Sequence, residues 1–431
     1  MYRKTTTGVD SLIVDNNGAT TRDATLTRMP NNINLNSISN VVLNHKGVLG
    51  VIGNTTLDFS TFNPTTNGSA QSYLAIISDT NVTYGANWTI AGYTVRGEGI
   101  SKTLTNVTIG NAGALSHREN GGTGTEPYKL NLTLVGNLTV LSNGAISAYA
   151  KGYSVQQGPG GCSANSWKGG AYGGGGGNAN MNTYGSLLSP TNIGSGGNGG
   201  YGGGAILMNV IGTTTVATGG TIAANGENNG NGSGSGGTVN LTTGWLAGGG
   251  RIGADGGAGS GNGDGGGGRV AIVLTGAGAN YSTWTGTNTA YGGASASYGA
   301  AGTVYQGTPG GAAGAGAVIV DNRNVATNVV FASLPAFAAS NENLKKTSWT
   351  VQNKGKIGMT TNSFISSLTL NATSYLELSG QTLTLNALTI TNKVYIAGTY
   401  TAAQLGGVLV TDGVGGGKIV LLTRGTAAFF R

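Results

Sequence analysis

Four short runs near the C-terminus constrain this chain most. Leu368-Thr369-Leu370, Tyr375-Leu376-Glu377-Leu378, Leu383-Thr384-Leu385 and Leu388-Thr389-Ile390 begin 7, 8 and 5 residues apart. Within each, apolar residues alternate with polar ones, the period-2 signature of a half-buried strand. Strands of three or four residues cannot build a sandwich. Three per coil, with coil stacked on coil, build a solenoid of about 20 residues per turn. The expected fold is therefore all-β: a right-handed parallel β-helix with glycine-rich loop insertions.

Two scales of repetition support a stacked architecture. Leu12-Ile13-Val14-Asp15-Asn16 returns as Val318-Ile319-Val320-Asp321-Asn322, an offset of 306. Asn44-His45-Lys46-Gly47 returns as Gln352-Asn353-Lys354-Gly355, an offset of 308. Tyr2 precedes the first copy much as Thr303-Val304-Tyr305 precedes the second. A shorter motif recurs as Gly144-Ala145-Ile146-Ser147-Ala148, Gly220-Thr221-Ile222-Ala223-Ala224 and Gly250-Arg251-Ile252-Gly253-Ala254. Its isoleucines should be buried and stacked on one another. Three regions follow: residues 1–152 as an N-terminal solenoid, 153–316 as a glycine-rich region with interleaved strands, and 317–431 as a solenoid segment that restarts the module.

Glycine supplies 83 of the 431 residues, concentrated in runs such as Gly173–Gly177 and Gly265–Gly268. Collagen is excluded, because there is no glycine at every third position and only 7 prolines are present. A charge-solvated disordered chain is excluded by 38% apolar residues and a formal charge of only +7. A flexible linker would not need Ala205-Ile206-Leu207-Met208 or Arg269-Val270-Ala271-Ile272-Val273-Leu274 among its glycines. The sharper reading is glycine-rich segments, in polyproline-II conformation, packed side by side against the solenoid and bonded backbone to backbone.

Chemistry-bearing patterns are sparse. His45 falls in the repeated motif where the second copy has Asn353, which points to a structural role. His117, in the polar stretch His117-Arg118-Glu119-Asn120, reads as a solvent-exposed loop residue. Asp255 and Asp264 share one glycine-rich loop, but Gly259-Ser260-Gly261-Asn262-Gly263 lacks the glycines of a calcium β-roll. Gly413-Val414-Gly415-Gly416-Gly417-Lys418 is followed by Ile419, not Ser or Thr, so it reads as a turn, not a phosphate loop. No catalytic residue, cofactor or metal site is assigned. The basic residues are scattered, which argues against nucleic-acid recognition, and no apolar run reaches membrane-spanning length. The aromatic residues Trp167, Tyr172, Tyr184, Tyr201, Tyr291 and Tyr298, together with Tyr305, cluster around the glycine runs. They can act either as a contact surface or as gap fillers.

The Leu-Ile-Val-Asp-Asn opening, the Gly-x-Ile motifs before glycine runs, and Ala397-Gly398-Thr399-Tyr400-Thr401 resemble modules of giant glycine-rich bacterial surface proteins. These are similar to adhesins and autotransporter passengers with β-helical stalks. The resemblance implies an extracellular, cell-surface, non-catalytic, repeat-built protein. Strand edges left open at the ends of a β-helix predict self-association, and surface polysaccharide or another surface protein is the expected further partner. No apolar signal segment follows Met1-Tyr2-Arg3-Lys4-Thr5, so a fragment or processed subunit is expected. A phage-type receptor-binding fibre is the alternative, and a β-helical polysaccharide lyase or hydrolase a second one, disfavoured by only 15 carboxylates. Open strand ends make Phe429 and Phe430 candidates for an assembly contact.

Overall fold

The structure is a computed structural model. It describes the whole chain except residues 1, 5–9, 19–26, 29–32, 54, 68–71, 78–81, 99–100, 123, 165, 181, 296, 312–313, 326–331, 335–342 and 424–431. Phe429 and Phe430 lie outside the described residues. The described residues are all-β: strands, joined by turns and short 3-10 segments of three residues, with no α-helix.

Two large sheets dominate, and their pairing is mostly parallel. One holds nine strands in chain order, from Thr27–Arg28 through Val48–Val51, Tyr73–Ile76, Thr94–Gly97, Ala114–His117, Ala145–Ser147, Thr221–Ala223 and Arg251–Gly253 to Thr287–Thr289. The other holds fourteen, including Asn87–Ile90, Asn106–Ile109, Leu138–Val140, Ala205–Val216, Thr238–Ala247, Arg269–Leu274 and Thr303–Gly307. The chain alternates between them. Each glycine-rich excursion leaves after a strand of the nine-stranded sheet and returns at the start of one in the larger sheet. Gly204 leads into Ala205, Gly237 into Thr238, Gly268 into Arg269 and Gly302 into Thr303. The insertions therefore leave the sheets at one recurring place.

Register stacks like on like. Leu49, Leu74, Val95, Leu115, Ile146, Ile222 and Ile252 pair successively across the nine-stranded sheet. All seven are buried, so the Gly-x-Ile motif marks one inward column, as the sequence suggested. A second column runs Leu132, Met208, Leu241, Ile272 in the larger sheet. These residues share one apolar core that extends from Leu12 to Val304.

The parallel run ends at Thr303–Gly307, which pairs antiparallel with Gly316–Asp321. Beyond it a second core forms, from Val318 to Leu421 with contributions from Leu187, Ala271, Ala301 and Tyr305. Here the four short runs of the sequence are all strands. Ser367–Leu370, Tyr375–Glu377 and Thr382–Leu385 join three different sheets, and Ala387–Ile390 returns to the first. The long repeat is also structural. Tyr2 pairs antiparallel with Leu12, and Tyr305 pairs antiparallel with Val318, the same position 306 residues on.

Candidate functional site: the glycine lattice and its tip

The glycine-rich segments bond to one another through their backbones. Along residues 264–268 the successive N–H groups donate to Ser297, Gly257, Gly170, Ala300 and Ala254 at 2.7–2.9 Å. The direction of donation returns to the same neighbouring segment every third residue. Ser233, Gly234, Ser235, Gly236 and Gly237 repeat the cycle, donating to Gly263, Glu227, Ser195, Gly266 and Ala224 at 2.7–3.1 Å. A β-strand alternates its donors with period two. Three residues per turn and no bonds within the segment are the properties of a polyproline-II helix. Each such helix meets several neighbours, so the segments form a lattice, not a sheet.

Close approach is what requires glycine here. A Cβ on Gly266 would overlap the Gly174 carbonyl oxygen, and one on Gly302 would overlap that of Gly268. Only a residue without a side chain lets two backbones meet at that distance.

The aromatic candidates divide by position. Tyr172 is fully buried; its hydroxyl meets Thr238 Oγ1 at 2.8 Å and its ring lies 4.6 Å from that of Tyr184. Burial pushes its phenol up to about 12 and raises that of Tyr184. Tyr184 Oη donates to the Ile193 carbonyl at 2.6 Å. Buried Arg269 donates from Nε to the Tyr184 carbonyl at 2.9 Å and holds its guanidinium 5.6 Å from the Tyr172 ring. This cluster ties the lattice to the outer face of the large sheet, so Tyr172 is not a surface contact. Tyr305 is buried in the second core. Tyr201 and Tyr291 are half-buried; the Tyr201 N–H donates to Glu227 Oε2 at 2.9 Å, and Arg323 sits 5.4 Å from the Tyr291 ring.

Trp167 and Tyr298 remain exposed, at 47% and 41%. The lattice brings their segments together on residues 263–264: the Gly263 N–H donates to the Trp167 carbonyl at 2.8 Å, and the next N–H, of Asp264, donates to the carbonyl of Ser297 at 2.8 Å. Asp264 is fully buried. Its Oδ1 accepts from the Gly259 N–H at 2.9 Å and Ser295 Oγ at 2.6 Å, and its Oδ2 accepts from the Ser295 N–H at 2.7 Å. Asp255 pairs with Arg251 and accepts from the Tyr291 N–H at 2.9 Å. Both carboxylates are thus committed to joining neighbouring excursions. Among the described residues no three His, Cys, Asp or Glu side chains gather as a metal site, and no helix is long and apolar enough to cross a membrane.

His117 is a correction. It is not an exposed loop residue but the last residue of a buried strand, with no exposed surface. Nε2 accepts from the Ala205 N–H at 3.1 Å, so Nδ1 carries the proton, which it donates to the Arg118 carbonyl at 2.7 Å. Burial pushes the imidazole down to about 3, and the cations Lys151, Lys129 and Arg96 push the same way. The partner lies 88 residues on, beyond the first glycine-rich excursion, and nothing local in the sequence announces it.

No family, curated protein or solved structure compared with the chain matches it.

Proposed function

We propose that the chain is a non-catalytic, extracellular structural and adhesive protein, in which a right-handed parallel β-helix carries a rigid glycine lattice and displays its tip. Strands that pair in parallel, in register and in chain order, with about 20 residues from Leu368 to Leu388, support the helical coil. Parallel crossovers are right-handed in nearly all sheets. The observation that carries the display reading is the three-residue donor cycle. It turns a segment that composition would leave flexible into a bonded slab ending in Trp167 and Tyr298. The ligand side of this reading is surface polysaccharide or another surface protein. Val394, Ile396, Val408 and Val414 lie exposed towards the C-terminal end and support self-association. The exposed lattice tip also suits a phage-type receptor-binding fibre.

The test is binding of the immobilised chain to arrayed cell-surface polysaccharides and to whole bacterial cells. Retention that falls by roughly tenfold in a Trp167→Ala/Tyr298→Ala double variant supports the tip. Retention unchanged in the double variant overturns it. Binding restricted to a few bacterial strains favours the phage reading.

A further inference from the structure

Both inward columns change character at their last tier. Ile252 pairs with Asn288 across the nine-stranded sheet, and Ile272 pairs with Gln306 across the larger one. Each apolar stack therefore ends in an amide. The two amides line one cavity of about 270 Å³, together with Tyr281, Trp284, Tyr291, Ala290, Val304 and Ile319. It lies where the first core ends and the antiparallel pairing begins.

Among the residues that line it, Asn288 and Trp284 each hold a polar atom with almost no accessible surface and no partner among the described residues, Asn288 Oδ1 and Trp284 Nε1. One is an acceptor and the other a donor. Buried polar groups are normally satisfied, and leaving them unpaired costs free energy. A hydroxyl donates and accepts, and so matches the two amides that line the cavity. The aromatic walls call for a ligand with an apolar face. Asp321 Oδ2, on the same wall, accepts from Gln352 Nε2 at 2.8 Å and Asn353 Nδ2 at 2.9 Å, and makes the wall unfavourable for an anion. The volume lies just below the range for drug-sized ligands and suits one ring.

We infer that this cavity binds a single neutral sugar ring, with Trp284 and Tyr281 against its C–H face and Asn288 and Gln306 on its hydroxyls. The site is separate from the lattice tip, so this inference and the adhesive reading fail independently.

The experiment is saturation-transfer NMR and calorimetry of the full chain with D-glucose, D-galactose, N-acetylglucosamine and D-glucuronate, with cyclohexanol as an apolar ring. At least one neutral sugar should bind saturably, in preference to glucuronate and cyclohexanol. Asn288→Ile, which continues the apolar column, and Trp284→Phe, which removes only the indole N–H and some ring area, should each weaken that binding by roughly tenfold. Both are made so that misfolding of one leaves the other decisive. Absence of saturable binding by every sugar, which would mean a cavity holding water alone, overturns the inference. So does binding that both variants retain, or equal occupancy by cyclohexanol.

Discussion

Asn353 donates from Nδ2 to Asp321 Oδ2 at 2.9 Å, and 308 residues earlier His45 places Nδ1 2.9 Å from Asp15 Oδ2. Both donors stand at positive φ, 51° and 42°, in a turn followed by a lysine that is also at positive φ. The carboxylates match as well: Asp15 Oδ1 accepts from the Asn17 N–H at 2.8 Å and Asp321 Oδ1 from the Arg323 N–H at 2.7 Å. The histidine and the asparagine do the same work. They hold a left-handed turn against the preceding strand, and asparagine is among the residues best suited to that conformation.

His45→Asn should therefore leave the unfolding midpoint unchanged in urea. Asp321→Ala should cost roughly 1–2 kcal/mol, because it removes the acceptor of bonds from Arg323, Gln352 and Asn353. A large loss from His45→Asn would contradict the equivalence of the two turns.

Ile222 lies between Ile146 and Ile252 in the inward column and is 1% exposed. Ile222→Ala should cost about 2–5 kcal/mol by denaturant unfolding. Ile222→Asp should cost more, since it buries an unpaired charge. A variant that melts with the parent would remove Ile222 from the column.

Glycines in the lattice and outside it should respond to a single methyl group in proportion to what it meets. Gly266→Ala pushes Cβ into the Gly174 carbonyl and should destabilise by roughly 1–3 kcal/mol. At Gly413 a Cβ meets only Glu377 Oε1, at 3.8 Å, so Gly413→Ala should be neutral or slightly stabilising. Equal effects at the two sites, read from thermal melts, would contradict the close packing of the lattice.

His117 makes the fold sensitive to acid. Its folded-state pKa is about 3, against an ordinary value of 6.5. As pH falls through 6.5 the unfolded chain takes up a proton that the folded chain refuses. Stability should thus decline from pH 6.5 down to about 3, by on the order of 5 kcal/mol at most, and this contribution should level off below that. His117→Gln should flatten the pH profile of urea midpoints in that window. An unchanged slope would show that His117 titrates outside the core.

Much of the fold could be read from the sequence, because it rests on local periodicity. The beat from Leu368 to Ile390 and the Gly-x-Ile motif depend only on neighbours along the chain, and stacking aligns them. What could not be read depends on the excursions. Val95 and Leu115 lie 20 residues apart, but Ile146 and Ile222 lie 76 apart and Ile252 and Asn288 lie 36 apart. Variable spacing hides that Asn288 continues the isoleucine column, and so hides the cavity. The same excursions bring Ala205 to His117 and Thr238 to Tyr172. A polar-looking histidine and a surface-looking tyrosine are therefore both buried.

Native-state amide hydrogen exchange tests the lattice most directly. Consecutive N–H groups of residues 264–268 and 233–237 all donate to other segments. Every one of them should be protected, to a degree comparable with the strand Arg269–Leu274 that follows. Exchange of these glycine amides at the rate of an unfolded peptide, with the strand still protected, would contradict the account: the glycine-rich region would then be a linker and not a bonded lattice.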